Sequence, residues 1–470
     1  GLSAARQLLN NNYKDFRLIE LEDQSGGNAR YGSNATGRFP LGAHYLPLPD
    51  PKFGELIDFL KEVKLITHVD ASGLPHYDEK YLCHDPDERL FIHGHWQEGL
   101  IPKFGVDEDD ALQLDRFLAM MDTYKKAKGF DGKYAFDIPV DHSSADDTYR
   151  KLDNISMEAF LQSHGFNSPY LKWYVNYCCK DDFGSTLQET SAWAGIHYFA
   201  ARKGQASNAD AGHVLTWPEG NGWLAAQLAA MCSEHIMASC TAFAIHKNLE
   251  GGYEVDYIDH RTQTIKRVVA RRIIFSCPSF VLKHFKTNIK ALKERPTASF
   301  EYSTWIVANA EVDAHHLSER NGFPLCWDNV IYGSASLGYI NSSHQHVARH
   351  RPTYNFTWYH LLHDSGKGTR KKALNSPPSR WVDLMVQDVQ KVYSTFEDSL
   401  ITCDVCVWGH AMIKPGIGFI WGKERANAQQ NIDNALFFAH TELSGMSIFE
   451  EGFTRGVDAA DAVLKSLKNG

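Results

Sequence analysis

Apolar and polar positions along the chain follow two periods, and the two ends are the most regular. Gly1-Leu2-Ser3-Ala4-Ala5-Arg6-Gln7-Leu8-Leu9 has helical spacing and predicts the opening turns of a helix. Phe16-Arg17-Leu18-Ile19-Glu20 reads as a short apolar strand ending in an acid. At the far end, Phe437-Phe438-Ala439-His440-Thr441-Glu442 repeats that strand-to-acid pattern. Val457, Ala460, Val463, Leu464 and Leu467 then form one stripe of an amphipathic helix. In the middle, Thr241 to Ile245, Tyr253 to Ile258 and Thr264 to Val269 are three strands of a β-meander, separated by Gly251-Gly252 and His260-Arg261. Ala270 to Pro278 closes it with a buried-type strand and a proline stop. Further strands are predicted at Trp305 to Asn309 and at Tyr354 to Tyr359, where aromatics alternate with polar residues. Helices are expected over 111–127, 156–164 and 379–396, and from Gly222 toward Met231. There is no internal repeat and no low-complexity run.

Composition narrows the classes. The chain has 470 residues, with 48 Lys+Arg against 57 Asp+Glu and a net charge of −9. That length favours two domains or one interrupted domain. The acidic balance disfavours nucleic acid as a partner. No apolar run reaches the roughly 18 residues a bilayer span needs, so no membrane span is expected. Nine cysteines are too few for a disulfide scaffold, and the isolated Cys403/Cys406 pair lacks two further ligands at zinc spacing. Cys178 and Cys179 read as structural thiols. Twenty-three histidines include no HExxH pair, so no metal site is expected.

The first twenty residues carry candidate chemistry. Glycine, small residue, helix, strand and terminal acid are the second half of a dinucleotide-binding βαβ unit. The helix start would aim free N–H groups at a pyrophosphate, and glycine lets the backbone come close. Glu20, 19 residues after Gly1, would accept hydrogen bonds from ribose hydroxyls. In this reading Gly1 is the second glycine of GxGxxG/A and Ala4 fills the third position. The first glycine and its strand lie outside the sequence. Their absence is expected to reflect clipping, which would also remove any targeting signal. Cytoplasmic and bacterial periplasmic locations both stay open.

Three segments extend the pattern: Gly26-Gly27-Asn28-Ala29-Arg30, Leu41-Gly42-Ala43-His44-Tyr45, and Phe449-Glu450-Glu451-Gly452-Phe453. With Trp408-Gly409-His410-Ala411-Met412 and Trp217-Pro218-Glu219-Gly220-Asn221-Gly222, the chain resembles the flavin amine oxidase superfamily. That superfamily includes monoamine and polyamine oxidases, protoporphyrinogen oxidase and phytoene desaturases. The resemblance implies an α/β fold with an FAD-binding Rossmann-like domain of glutathione-reductase type and a β-meander, plus an inserted α+β substrate domain. The FAD domain would be discontinuous (1–75, 212–295 and 400–470), and the substrate domain would comprise 76–211 and 296–399.

The same resemblance implies roles for particular residues. Gly1, Leu2, Ser3 and Ala4 would hold phosphate. Glu20 and Leu21 would meet the ribose, and Ala242 the adenine. Gly27, Asn28 and Arg30 form the turn against the phosphates, with Asn28 standing where relatives have Arg. Gly42, Ala43 and Trp408 would flank the flavin, and Thr441, Glu442, Glu451 and Gly452 its ring and ribityl chain. His44, Trp408, Phe438 and His440 are the catalytic candidates, His440 replacing the usual Gly. Non-covalent FAD is expected, because no Cys occupies the usual attachment position.

The substrate would be a small molecule, an amine that gives up a hydride from the carbon beside nitrogen. Trp173 to Gly184 and Ser191 to Phe199 combine aromatics, acids and a histidine suited to a flavin-facing pocket, and equally to a core. Relatives often hold a water near the flavin with a Lys, and the region around Trp305 contains none. Two alternatives stay open: a desaturase- or protoporphyrinogen-oxidase-like enzyme with an apolar substrate, and a non-catalytic FAD-binding relative. The electron acceptor is undefined.

Overall fold

The computed structural model describes residues 1–317, 323–346, 351–363 and 368–468. The chain divides into two compact units, 1–27 with 224–300 and 419–470, and 28–223 with 301–418. By contact, 28–75, 212–223 and 400–418 group with the second unit.

In the first unit, helix Leu2–Asn10 packs on helix Phe449–Lys468. Small residues bring the backbones together. A Cβ on Gly456 would lie 2.0 Å from Ser3 Oγ and 2.9 Å from Ala4 N, so only glycine fits. Farther along, Gln7 Nε2 donates to Asp461 Oδ1 at 2.8 Å. Residue numbers rise together at these two contacts, so the helices run parallel and start at the same end. Seven residues precede Gly456 in its helix, which carries that helix about 10 Å back toward the shared end. The core between them holds Ala4, Leu8, Ala459, Ala460 and Val463, with Phe437 and Ala439 beneath. The apolar stripe is therefore the buried face, with Leu464 and Leu467 at its margin.

Strand Leu18–Ile19 pairs in parallel with Ile236–Met237, and Ile273–Phe275 pairs in parallel with Leu436–Phe438. The meander consists of Cys240–Lys247, Tyr253–Asp259 and Thr264–Ala270, with Lys286–Thr287 added in parallel on Cys240–Lys247. Two expectations need correction here. The strand from Ala270 toward Pro278 leaves the meander and joins Leu436–Phe438. The strand expected to run to Glu442 ends at Phe438. His440 Nδ1 instead accepts the N–H of Glu442 at 3.3 Å and starts a tight turn, Thr441–Leu443.

The second unit is built on a seven-stranded sheet. Its order is Leu400–Trp408, Thr304–Asp313, Thr353–Leu362, Tyr339–Asn341, Asp328–Ile331, Glu88–Ile92 and His95–Glu98. One face packs Ile306, Ala308, Phe356 and Trp358 against Trp381, Met385 and Val389 of helix Pro378–Val389. That helix stops short of the expected Phe396. The chain turns after Val389, and the Tyr393 hydroxyl accepts from fully buried Arg89 at 2.8 Å.

The other face carries Trp305, Val307, Tyr359 and Leu361 toward Tyr177 and Cys178 of helix Pro169–Phe183. Ser168 caps the start of that helix and Gly184, at φ +56°, ends it. The alternation seen at 354–359 is real, yet both faces are buried. The polar face is covered by the segment around Asn34. Asn34 and Asn355 exchange amide hydrogen bonds at 2.8 and 3.1 Å. Thr36 Oγ1 donates to buried Glu311 at 2.5 Å. No helix among the described residues is long and apolar enough to cross a membrane.

Candidate functional site

In the first unit the two parallel helices start at the same end of their shared core. Gly1 has no side chain to cap its helix, and a Cβ there would lie 3.0 Å from Ser276 Oγ. Burial lowers the His440 pKa, and the charge of Glu442 opposes that shift. Burial raises the Cys277 thiol to about 11, and Glu20 and Glu442 also act on it. Cys277 nevertheless keeps exposed surface.

Glu20 closes its strand there, its N–H donating to Met237 O at 2.9 Å, while Leu21 beyond it is exposed. Ala242 lies in Cys240–Lys247 next to a register shift. Glu442 is buried and accepts from Ser279 N at 2.8 Å. Gly452 packs on Thr441, where a Cβ would come within 3.0 Å, and Glu451 is fully buried. Gly27 takes a positive φ of 57°. Phe438 is buried against Phe275, and Arg295 lies 3.2 Å from its ring centroid. Sequence reasoning missed Arg295, which sits in a loop with no motif around it.

The second unit gathers Asn28, Arg30, Gly42, Ala43, His44 and Trp408. A Cβ on Gly42 would meet Asn28 O at 2.4 Å, so the two segments touch through glycine. The Asn28 amide donates to Ala411 O, and Arg30 lies over the Trp408 ring at 5.6 Å. Trp408 Nε1 donates to Leu41 O at 2.5 Å, and the Tyr359 hydroxyl donates to Gly42 O at 2.8 Å. Ala43 O accepts from Asn221 N at 3.0 Å. Trp305 is the direct cross-strand neighbour of Trp408.

His44 leads from this turn into a group of aromatics and acids. Its ring is 4.6 Å from Tyr359, 5.1 Å from Tyr45 and 5.6 Å from Trp327. Burial lowers its pKa to about 4, so it is neutral at physiological pH. The Tyr45 hydroxyl donates to Asp181 Oδ2 at 3.3 Å and lies 3.5 Å from Asp182 Oδ1. Asp182 is bound at both oxygens by Arg202, at 2.8 and 2.7 Å. Asp181 has no such partner. Burial, and then the charge of Asp182, raise it to about 7.

On the adjacent sheet Asp328 and Glu88 are direct partners on parallel strands. Burial first, and then the charge of Glu88, hold Asp328 well above the ordinary carboxylate range. Burial and Asp87 raise Glu88 to about 7. Among the described residues no cation lies within ion-pairing distance of Asp181 or Asp328. All three acids still present some accessible surface. Asp181 lies within the stretch Trp173 to Gly184 but was not singled out from the sequence. Nor was the Asp328–Glu88 pair, because it depends on a strand pairing across 240 residues. Among the described residues no three His, Cys, Asp or Glu side chains are placed to hold a metal.

This mixed α/β fold, with its antiparallel meander and parallel helix pair, is that of the FAD-binding amine oxidase type. A family model described as flavin containing amine oxidoreductase matches residues 1–464. The chain belongs to that family and is an FAD-dependent oxidoreductase. Among solved structures, a variant of putrescine oxidase is similar at 13% identity and TM-score 0.69, covering 99% of this chain and 96% of that one. Cyclohexylamine oxidase from Brevibacterium oxydans IH-35A follows at 13% and 0.66, covering 99% and 97%. Reduced UDP-galactopyranose mutase has 14% and 0.62, covering 99% and 91%. At such identities the likeness is one of fold. No curated protein sequence matches the chain.

Proposed function

We propose that the chain oxidises a small amine, taking a hydride from the carbon beside the nitrogen, with non-covalently held FAD. The observation that carries this reading is Asp181: a partly exposed acid held by Tyr45, with no ion-pairing cation among the described residues, beside the aromatic rings of Tyr45, Tyr177 and Tyr359. An ammonium entering there would meet a carboxylate and ring faces, the two groups that recognise cations in dry sites. Asp328 and Glu88 add negative potential, and neutral His44 adds no repulsion.

The parallel helix starts of the first unit support a dinucleotide. Gly1 to Ala4 would present the helix start to phosphate, Glu20 the ribose acceptor, and Ala242, Thr441, Glu442, Glu451 and Gly452 the remaining walls. In the second unit, Gly42, Ala43 and Trp408 would flank a flavin ring, with Asn28 and Arg30 on the turn before them; Gly27 closes the opening segment of the first unit. His44 in the second unit and His440 in the first are the titratable candidates, and Phe438 supplies packing within the first unit. When bound, flavin supplies the hydride acceptor.

The chain's own work is to select the ammonium, exclude water and relocate a proton. An amine must be uncharged before it yields hydride. In a desolvated site the neutral pair of amine and carboxylic acid gains on the ion pair, so Asp181 can hold the proton that the ammonium gives up. Anaerobic addition of a panel of amines to the flavin-loaded protein, followed at the visible flavin band, tests the reading. Bleaching by one amine class is expected. Bleaching only by apolar donors, with every amine inert, would overturn it.

A further inference from the structure

The second unit carries a basic hairpin that the oxidative chemistry does not use. Residues 125–133 contain Lys125, Lys126, Lys128 and Lys133 against a single acid, Asp131. Lys128 pairs with Tyr134 across the hairpin, Gly132 N donates to Gly129 O at 3.0 Å, and Gly132 takes φ +74°. Phe130 stands at the tip with 79% of its surface exposed.

The hairpin is firmly built. Asp131 accepts from Ser144 Oγ at 2.6 Å and Ala145 N at 2.9 Å, which ties the tip down and keeps this acid ionised, one negative charge among four lysines. Phe130 N donates to Asp146 at 3.2 Å. A Cβ on Gly129 would lie 1.9 Å from Ser144 Oγ, so that side is closely packed. The backbone of the tip is therefore held in place, with the Phe130 ring left largely uncovered. Behind it Lys52, Lys128 and Lys203 converge on Tyr134, 5.9, 5.0 and 4.5 Å from its centroid. Of these, Lys203 is tied to Asp137 at 3.7 Å, while Lys52 and Lys128 are exposed. Leu249 is also exposed at a hairpin tip, but Glu250 follows it and only Lys247 is near in sequence.

We infer that hairpin 128–134 docks the protein on an anionic lipid surface, Phe130 entering the headgroup boundary while Lys126, Lys128 and Lys133 meet phosphates. A rigid aromatic flanked by lysines suits that boundary, where the ring loses water and the ammonium groups stay hydrated. With a net charge of −9 the chain as a whole is repelled by such a surface, so attachment would occur through this patch alone and in one orientation.

Co-sedimentation of the flavin-loaded protein with vesicles tests it. Phosphatidylserine-containing vesicles should carry the protein down and phosphatidylcholine vesicles should not, with salt releasing it. Phe130→Ala should weaken the partition about tenfold or more. Each of Lys126→Glu and Lys128→Glu should weaken it about fivefold or more. All three variants should keep wild-type flavin content and melting temperature. Equal sedimentation with both vesicle types, or a Phe130→Ala protein that partitions like wild type, would overturn the inference. Retention on an immobilised acidic protein without vesicle binding would reassign the lysines to a protein partner.

Discussion

Replacing Asp181 by Asn separates two consequences of burying this carboxylate. The first concerns stability. Asp181 is raised to about 7 by burial and by the charge of Asp182, while an unfolded Asp titrates near 3.8. The folded form thus holds its proton more tightly than the unfolded form. Below pH about 4 both forms are protonated and the difference contributes nothing. Between about 4 and 7 the unfolded form ionises first, and the native state loses about 1.4 kcal/mol per pH unit. Above 7 the loss is constant, on the order of 4 kcal/mol. Asp181→Asn removes this titration, so the variant should be more stable than wild type at pH 8 and equal to it near pH 4. Urea unfolding at several pH values, read by tryptophan fluorescence, measures the gap.

The second consequence concerns binding. A cationic amine needs the ionised acid, so wild-type affinity should climb about tenfold per pH unit below 7 and level off above it. Asn would lose a charge-assisted contact of about 1.5–3 kcal/mol and the pH dependence with it. Binding of a non-oxidisable amine, followed through the flavin spectrum, reads this arm. Wild-type and variant proteins with the same pH profile in both assays would refute the assignment of Asp181.

Three further outcomes are expected. Glu20→Ala should weaken FAD retention by about 1.5–3 kcal/mol, measured by equilibrium dialysis, and unchanged affinity would remove Glu20 from the ribose contact. Gly42→Ala should lower the melting temperature by the equivalent of about 1–3 kcal/mol, because its Cβ would meet Asn28 O at 2.4 Å and backbone must move. Arg202→Met leaves Asp182 buried beside Asp181 and should cost about 3–5 kcal/mol, most of it regained in Arg202→Met with Asp182→Asn; no recovery in the double variant would exclude the unpaired charge as the cause.

The parts of the fold legible in the sequence were those fixed by local pattern. The stripe from Val457 to Leu467 is a helix face wherever it packs, and the meander strands are bounded by their own turn residues. Glu20 and Gly42 could be singled out because each belongs to a short segment with its own logic. What stayed hidden depends on distant pairing. Nothing near Asp328 announces Glu88, and the two become neighbours only when their parallel strands align. The tight turn after Phe438 was missed because His440 ends the strand by accepting a backbone N–H, a local bond that competes with sheet pairing. Arg295 lies in a loop, where its ring partner could not be foreseen from spacing.

The amide exchange between Asn34 and Asn355, with Thr36 on Glu311, acts as an alignment key. A greasy contact would tolerate sliding by a residue, but here any slip strands a buried carboxylate and two amides. The segment leading to His44 and Tyr45 is thereby delivered in a single reading frame. Its pocket-facing side chains could then be exchanged during divergence without disturbing the frame, and new chemistry could arise there while the scaffold beneath stayed fixed.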